Sequence, residues 1–506
     1  MRHLLSLFLL IFSLSGFAQN YAGWWQEVDE LTNTGKQKSA LEVVDKIHQQ
    51  AVKDGNGPQL VKAVIHEIKF SAEFEEESLV ASIERLKTEA EKAPEPTQQI
   101  VFSLLAEMHW GYYQNNRWRI QKRTADQSAD DNILTWDFKR IASETDKYYQ
   151  LSIRNSSALK AAKLEDYQAI LTGTNRYRNI RPSVYHLLLS RALAFYSLDE
   201  RNLINFDPTT AYQEAGLLSD LDSFLAIKSK PTVGLEPAGQ TIFMYQELLR
   251  EAKNVSTESV VLEDLKRLEF MHKRSSLASK DKLYEAQLNA LLKHHTEAEV
   301  SAEIAYQLAG LYQQQGSVVS DVSHSDYWKW KSADSLCQVY IKKFPNSVGA
   351  RNCKSLSERI RSKEWGMDAE GIILPNKAFR ILLRYRNLDT QEADKWPVYA
   401  RVASIDPIEY RNNARQNYGE KLIRWLKSHS TTVAEKTFEI PNPKDFKSHS
   451  IELPLEGLSA GTYVVFVGTN AKLSTNADAV SFAIIIVSDL AIIKRQNDNG
   501  KSTIKV

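Results

Sequence analysis

The spacing of the apolar residues changes near Gly366–Gly371, and this change constrains the fold more than any other feature. Before it, from about residue 21 to 364, apolar residues recur at three- and four-residue intervals, which is the period of an amphipathic helix. After it they alternate with polar residues, which is the period of a β-strand. The clearest alternation is Phe379, Ile381, Leu383 and Tyr385. The sequence therefore predicts an all-α region followed by an all-β region.

Helical turn signals divide the first region. Residues 40–51 and 60–68 have helical periodicity and are joined by Asp54-Gly55-Asn56-Gly57-Pro58, which combines a helix stop, a turn and a helix start. We predict a helical hairpin there, with Pro94-Glu95-Pro96 separating two later helices. Further helices are predicted around residues 77–92, 98–113, 183–195, 242–252, 281–293 and 302–314.

A repeat signal lies late in the helical region. Two half-patterns fit the two helices of a tetratricopeptide unit, although the connection over residues 316–331 is about a dozen residues longer than that repeat allows. The half-patterns are Ala305, Leu308, Ala309 and Tyr312, then Ala333, Cys337, Tyr340 and Pro345. We therefore predict a tetratricopeptide-like solenoid containing a degenerate unit.

The second region predicts a β-sandwich of immunoglobulin-like type, because about seven short strands with polar turns follow within some 120 residues. Strands are predicted over 398–403, 431–440, 450–455, 464–467 and 479–487, with a helical insertion at 418–429. Two further predicted strands, Leu490–Arg495 and Ser502–Val506, flank Asp498-Asn499-Gly500, which is a strong hairpin turn. We interpret this hairpin as the truncated start of a further β domain. The predicted division is 1–18, 19–365 with a subdomain break near 180, 366–489 and 490–506.

The N-terminus predicts export. Arg2 precedes the apolar run Leu4–Leu14, and small residues follow at Gly16 and Ala18, so we expect signal cleavage between Ala18 and Gln19. The alternative is a membrane anchor, but this run is shorter than the roughly 20 residues of a spanning helix. No later stretch is apolar and long enough to span a membrane. The expected location is the periplasm or the outer cell surface.

Composition bears on partners and redox state. The chain has 43% apolar residues, 25% charged residues and a net charge of +1, whereas nucleic-acid binding needs a strongly basic face. We therefore expect proteins as partners and no nucleic acid; no pattern specifies an oligomeric state. The two cysteines, Cys337 and Cys353, form a candidate disulfide in an exported protein. The alternative is two buried thiols.

Motifs for chemistry are incomplete. His66-Glu67 opens like a zinc-peptidase helix, but Phe70 stands where the second histidine ligand belongs. His294 and His295 are adjacent, and adjacent helical residues point about 100° apart. Phosphate-binding glycine loops and nucleophile elbows are absent from the sequence. We expect no enzyme activity, no catalytic residue, no cofactor and no metal site.

Two segments place arginines beside aromatic residues, 116–119 and 175–178. One interpretation is a contact surface for carbohydrate or peptidoglycan. The other is a solvated face on which arginine side chains pack against the rings. Both interpretations remain open from sequence.

Three segments resemble the N-terminal region of bacterial α-2-macroglobulin family proteins of the Bacteroidetes type. The mature sequence opens Tyr21-Ala-Gly-Trp-Trp25 and runs into Lys38–Ile47, and Tyr340–Ser347 closes the helical part. The third segment, Phe379–Leu388, with Val398–Val402 and Gly457–Val464, is similar to the first macroglobulin-type sandwich of that family.

This resemblance implies a family that traps proteases. In such a family an attacking protease cuts a bait segment and the inhibitor closes around the protease, often aided by an internal thioester. Neither Cys337 nor Cys353 has the Glu-Gln context of a thioester, so no trapping residue carries over. The resemblance implies a non-enzymatic front module of an endopeptidase inhibitor that anchors or recruits partners. The alternative is a stand-alone exported helical-repeat protein that binds a peptide or glycan.

Overall fold

The computed structural model describes residues 21–71, 78–123, 132–171, 175–198, 212–228, 237–388, 393–474, 480–490, 493–496 and 502–505. The chain divides into two compact units, Met1–Leu291 and Leu292–Val506. Residues 1–20 lie outside the described residues, and so do the predicted signal segment and its cleavage site at Ala18 and Gln19.

The first unit is helical over the described ranges. Its α-helices are α1 (21–33), α2 (Gln37–Asp54), α3 (Gly57–Ser71), α4 (Ser78–Lys92), α5 (Thr97–Ile120), α6 (Phe138–Ser152), α7 (Ser156–Ala161), α8 (Asn175–Ile180), α9 (Val184–Tyr196), α10 (Leu221–Leu225), α11 (Pro237–Lys253), α12 (Thr257–Arg274) and α13 (Lys280–His294). Short 3-10 helices cover Leu164–Ile170 and Ala215–Leu218.

The predicted hairpin at the start is confirmed by α2 and α3. Gly55 has a positive φ of 62°, and its N–H caps the carbonyls at the end of α2. Glycine adopts this left-handed conformation without the steric cost of a Cβ. The facing sides of the two helices bury Val44, Ile47, Val61 and Val64. The turn and the apolar stripes thus specify the same hairpin.

Aromatic side chains form much of the first unit's interior. Trp110 on α5 lies 4.8 Å from the Tyr113 ring and 5.0 Å from the Phe195 ring of α9. Phe138, at the start of α6, lies 4.7 Å from Tyr113. The α6 and α12 helices were not predicted, since their many charged residues obscure the apolar stripe. Their tyrosines and leucines nevertheless pack inward.

Three helices open the described core of the second unit: α14 (Ser301–Ser317), α15 (Lys329–Lys343) and α16 (Val348–Arg361), with a 3-10 helix at Ser325–Trp328. Small residues let them approach closely. A Cβ built on Gly349 would lie 2.3 Å from the Ala302 carbonyl carbon. Ala309 and Ala333 are fully buried in the same core. The half-patterns assigned to a repeat unit therefore lie on packed neighbouring helices.

The strands of the second unit follow α16 after two residues. They are β1 (Glu364–Ala369), β2 (Ile372–Ile373), β3 (Phe379–Arg386), β4 (Lys395–Ser404), β5 (Thr431–Pro441), β6 (His449–Leu455), β7 (Gly461–Gly468), β8 (Val480–Val487), β9 (Ile493–Gln496) and β10 (Ser502–Lys505). Two helices, α17 (Pro407–Ala414) and α18 (Glu420–Ser428), lie between β4 and β5.

The described strands form three sheets. A three-stranded antiparallel sheet has the order β1-β3-β6, and a five-stranded sheet has the order β2-β8-β7-β4-β5. Within the latter, β2 runs parallel to β8, and the other neighbours are antiparallel. The β9–β10 pair is antiparallel, while its predicted turn, Asp498-Asn499-Gly500, lies outside the described residues.

One apolar core draws side chains from both larger sheets. Ile381 and Leu453 come from the three-stranded sheet, and Val398, Val465 and Ile485 come from the five-stranded sheet. The opposite face of the five-stranded sheet is covered by the α17–α18 insertion, where α18 buries three apolar side chains on one side. The strand predictions are therefore confirmed for β3 to β8, whereas β1, β2 and α17 were missed.

The coarse fold prediction is confirmed: a helical N-terminal region precedes C-terminal sheets. Among the helices that the structure describes, none combines the length and the apolar character that a membrane crossing requires. The switch from helix to strand, expected at 366, occurs between Arg361 and Glu364.

Candidate functional site

The two cysteines lie together in the core of α14, α15 and α16. Cys337 and Cys353 are free thiols and are fully buried. The Cys353 thiol also points at the carbonyl oxygen of Ala302, 3.8 Å away. A hydrogen bond with Cys353, together with burial, raises the pKa of the Cys337 thiol far above its usual range. The structure thus has the buried-thiol arrangement of the two alternatives considered from sequence.

The histidine motifs are packing residues. The His66 ring hydrogen-bonds through Nδ1 with the Lys62 carbonyl oxygen at 2.9 Å, and it lies 4.7 Å from the Trp25 ring. The His294 and His295 rings meet edge to face at 4.7 Å. Among the described residues there is no group of three or more His, Cys, Asp or Glu that could hold a metal ion.

The first arginine–aromatic segment lies at the end of α5. The Trp118 side chain is 76% exposed, and the Arg117 guanidinium lies 5.9 Å from its ring. Arg119 is held by hydrogen bonds to the Tyr112 hydroxyl at 3.1 Å and to the Asn116 side chain at 3.0 Å. In the second segment, the side chains of residues 175–177 lie outside the described residues. The first segment therefore presents a tryptophan ring to solvent beside oriented arginines.

A buried charge cluster joins α2, α3 and α4. The Nδ1 atom of His48 lies 2.7 Å from a Glu67 carboxylate oxygen, and its Nε2 atom lies 3.3 Å from a Glu89 oxygen. Arg85 reaches the other Glu67 oxygen at 3.4 Å. Hydrogen bonds to Glu67 and Glu89 raise the pKa of His48 to about 10, against the opposing effect of burial. At neutral pH this histidine is therefore an imidazolium clamped by two carboxylates.

The charge cluster forms one wall of a cavity of about 480 Å³. His48 and Glu89 contribute polar groups, while Leu60, Ala93 and Pro94 contribute apolar surface. Pockets of this size and mixed lining suit small ligands or single side chains. Sequence reasoning missed the site because its charged residues come from three different helices. No spacing rule relates His48 to Glu67 or Glu89, so the sequence carried no signal for it.

A second polar cluster joins the α14–α15 region to the loop between β5 and β6. Asp445 is 2% exposed and accepts hydrogen bonds from the Tyr327 hydroxyl, the Lys447 backbone N–H and His449 Nε2. Burial acts to raise the pKa of Asp445, but these hydrogen bonds outweigh it, so the pKa lies below its usual value. This aspartate is therefore an ionised anchor inside the second unit.

Lys447 completes the anchor from the same loop. Its ammonium donates to the carbonyl oxygens of Gly316, at 2.8 Å, and Val319. It also lies 4.0 Å from the centre of the Tyr327 ring. The neighbouring Phe446 packs against the cysteine-containing helical core. The loop that connects β5 and β6 is thus bound to the helical part of the unit by hydrogen bonds from charged groups, a cation–π contact and apolar contacts.

Comparison with known proteins does not assign this chain to a family. No family model and no curated protein matches the chain. One solved structure similar to it is an alkylpurine DNA glycosylase, AlkC of Pseudomonas fluorescens, bound to DNA containing an abasic site analog. The match has 11% identity and covers 91% of this chain and 97% of that chain, with a TM-score of 0.14. A score this low supports no argument about fold or activity.

The expectation of no nucleic-acid partner is corrected on physical grounds. It rested only on the nearly neutral net charge of the chain; the matched protein is itself bound to DNA. That expectation is therefore withdrawn. The physical reason is that net charge averages over the whole surface and says nothing about a local basic patch.

Proposed function

We propose that the chain is a non-enzymatic N-terminal module of an exported cell-envelope inhibitor of the α-2-macroglobulin type. In this proposal a tetratricopeptide-like helical region is followed by a first macroglobulin-type β-sandwich. The module anchors the inhibitor or recruits its partners in the periplasm or on the outer cell surface.

The strand arrangement carries the proposal. An immunoglobulin-type sandwich divides its strands between two sheets that share one core. The orders β1-β3-β6 and β2-β8-β7-β4-β5 fit this pattern. The short strand β2 pairs in parallel with β8, which comes last in the chain among the strands of these two sheets. Both sheets contribute to one apolar core.

A tyrosine at the start of β7 adds support. The hydroxyl of Tyr463 donates to the backbone carbonyl of Ser459, four residues earlier, at 3.1 Å. Such a tyrosine corner is a hallmark of immunoglobulin-like sandwiches and lies near the start of the strand equivalent to β7. It falls within the segment Gly457–Val464, on which the family resemblance partly rests.

The anchored loop supports a role as a connecting module. Asp445 and Lys447 attach the strands of the second unit to its helices. The helices and the sheets of this unit are therefore joined by specific contacts of the loop between β5 and β6.

The deciding experiment measures the size of the native protein. Fractionated cells are immunoblotted with an antibody against residues 21–364, and a strain lacking the gene is the control. A species much larger than 57.6 kDa, in the envelope fraction, is expected. Bait cleavage and protease capture by that larger species would then be measured.

A second candidate function is a stand-alone helical-repeat protein that binds a peptide or glycan. The cavity beside His48 and Glu89 favours it. A native species near 57.6 kDa would contradict the inhibitor proposal and favour this one. Peptide and glycan binding by the wild type would then be compared with that of Leu60→Trp, which fills the cavity.

A further inference from the structure

Cys337 and Cys353 lie on the two arms of one helical hairpin. Cys337 is on α15 and Cys353 is on α16, and the turn between these helices covers residues 344–347. The two positions are at nearly equal distances from the turn, so the antiparallel helices bring them side by side. Both residues also lie on the buried sides of their helices, in one shared core.

The two cysteines are packed into one buried core. Cys337 and Cys353 share it with Ala309, Ala333 and Leu356, and the influence of Cys353 on the pKa of the Cys337 thiol agrees with their proximity. Disulfides need Cα atoms within about 7 Å, which is closer than most helix-facing pairs. Small side chains in this core, Ala333 on α15 and Ala350 on α16, are fully or almost fully buried and favour close packing of the two helices.

We propose that Cys337 and Cys353 form an intramolecular disulfide when this chain folds in an oxidising compartment. The structure has the reduced form, with both thiols free. The proposal is independent of the inhibitor function, because it depends only on the two side chains and on an oxidant.

The oxidation is a thiol–disulfide exchange. One cysteine loses a proton, and its thiolate attacks a small-molecule or protein disulfide to form a mixed disulfide and release one thiol. The second cysteine then loses its proton and displaces the remaining thiol of the oxidant. Two protons and two electrons leave the cysteines, and the oxidant disulfide is reduced to two thiols.

Burial dictates when this reaction occurs. Both cysteines are 0% exposed, and the raised pKa of Cys337 suppresses its thiolate in the folded protein. The thiolate is the reactive form. Oxidation therefore takes place during folding, before the α15–α16 hairpin closes against α14, and the finished bond is protected from reductants.

The cross-link would stabilise the end of α16, which leads directly into the first strand of the β region. Arg361, at the end of α16, forms a bidentate ion pair with the Asp334 carboxylate of α15. Strand β1 begins three residues later, at Glu364, and the Asn387 side chain donates a hydrogen bond to the Ile360 carbonyl at 2.9 Å. A disulfide would hold the helix from which the sheets extend.

The test is oxidative refolding of the full chain. Denatured, reduced protein is refolded with a mixture of reduced and oxidised glutathione, or with excess reductant alone. Each monomer is then denatured and alkylated, and its thiols are counted by intact mass. We expect no alkylated thiol after oxidative refolding and two after reductive refolding. The oxidised protein should also unfold at a higher temperature.

Cys353→Ala and Cys337→Ala are the matched controls. Each should show one alkylated thiol after reductive refolding, and one alkylated thiol or one glutathione adduct after oxidative refolding. Two alkylated thiols in oxidatively refolded wild-type monomer would overturn the proposal, and so would disulfide-linked dimers in place of the internal bond. The same thiol count on protein secreted into the periplasm of a bacterial host provides an independent reading if refolding in vitro is poor.

Discussion

At the scale of the residue, the least expected side chain is a fully buried arginine. Arg267 of α12 has 0% exposure. It forms an ion pair with Asp264 at 2.6 Å and donates to the carbonyls of Leu217 and Ser219. Its guanidinium also lies 4.6 Å from the Phe224 ring. This one side chain ties the segment 217–224 to α12.

Arg267→Met should strongly destabilise the protein, because it leaves Asp264 buried without its cation and removes the donors to two carbonyls. Breaking a buried pair on one side costs about 3–5 kcal/mol. The free energy of unfolding is measured with a chemical denaturant. Arg250→Met is the control, since its ion pair with Glu247 is more exposed and is worth about 1 kcal/mol or less. Equal effects of the two substitutions would contradict this role for Arg267.

His48 should make the stability of the folded protein depend on pH. Hydrogen bonding to Glu67 and Glu89 raises its pKa from 6.5 to about 10 in the folded protein. A group with a raised folded pKa contributes its stability fully below the unfolded pKa and loses it as the pH rises through the folded pKa. The contribution of His48 should therefore decline between pH 6.5 and about 10.

The measurement compares unfolding free energies of the wild type and His48→Gln across that range. The difference between the two proteins should shrink as the pH rises, because glutamine does not titrate. A difference that stays constant from neutral to alkaline pH would show that His48 is not protonated in the cluster.

At the scale of the element, close helix packing distinguishes two glycines. Gly349 on α16 faces the backbone of Ala302 and Glu303, which a Cβ would approach to 2.3 Å. Gly310 on α14 has nothing within 4 Å of such a Cβ. The same substitution should therefore have opposite effects at the two positions.

Gly349→Ala should destabilise the protein by about 1–3 kcal/mol through overpacking. Gly310→Ala should stabilise it by about 0.5–1 kcal/mol, since alanine favours the helix more than glycine does. Thermal and denaturant unfolding of both variants check this pair. A neutral or stabilising Gly349→Ala would mean that α14 and α16 are not in backbone contact.

At the scale of the whole molecule, the change from helix to strand does not coincide with the division into compact units. The second unit contains α14, α15 and α16 together with the sheets. Asp445 and Lys447 contact these helices from a loop between strands. The strands alone would lack those contacts.

A fragment of residues 292–506 should therefore fold by itself, whereas a fragment of residues 362–506 should be markedly less stable or aggregate. Removal of the helices exposes Phe446 and leaves Asp445 without its Tyr327 partner. Circular dichroism and thermal unfolding of both fragments test this. Equal stability would show that the helices are dispensable for the sheets.

The sequence by itself determined the type and order of most elements. Periodicity identified the α2–α3 hairpin and the strands β3 to β8, because one buried face imposes a period of 3.6 on a helix and of 2 on a strand. Turn residues such as Gly55 identified boundaries, because they satisfy local backbone requirements. Charged helices such as α6 and α12 were missed, since their apolar stripes are interrupted.

The tertiary structure alone decided which distant side chains meet. His48, Glu67 and Glu89 converge from three helices, and Tyr327 meets Asp445 from a position 118 residues away. Such contacts depend on helix crossing and loop path, which leave no periodic trace in the sequence. The two cysteines are visible in the sequence, but their placement side by side follows from the packing of α15 against α16, because only packing fixes the relative height and rotation of two helices.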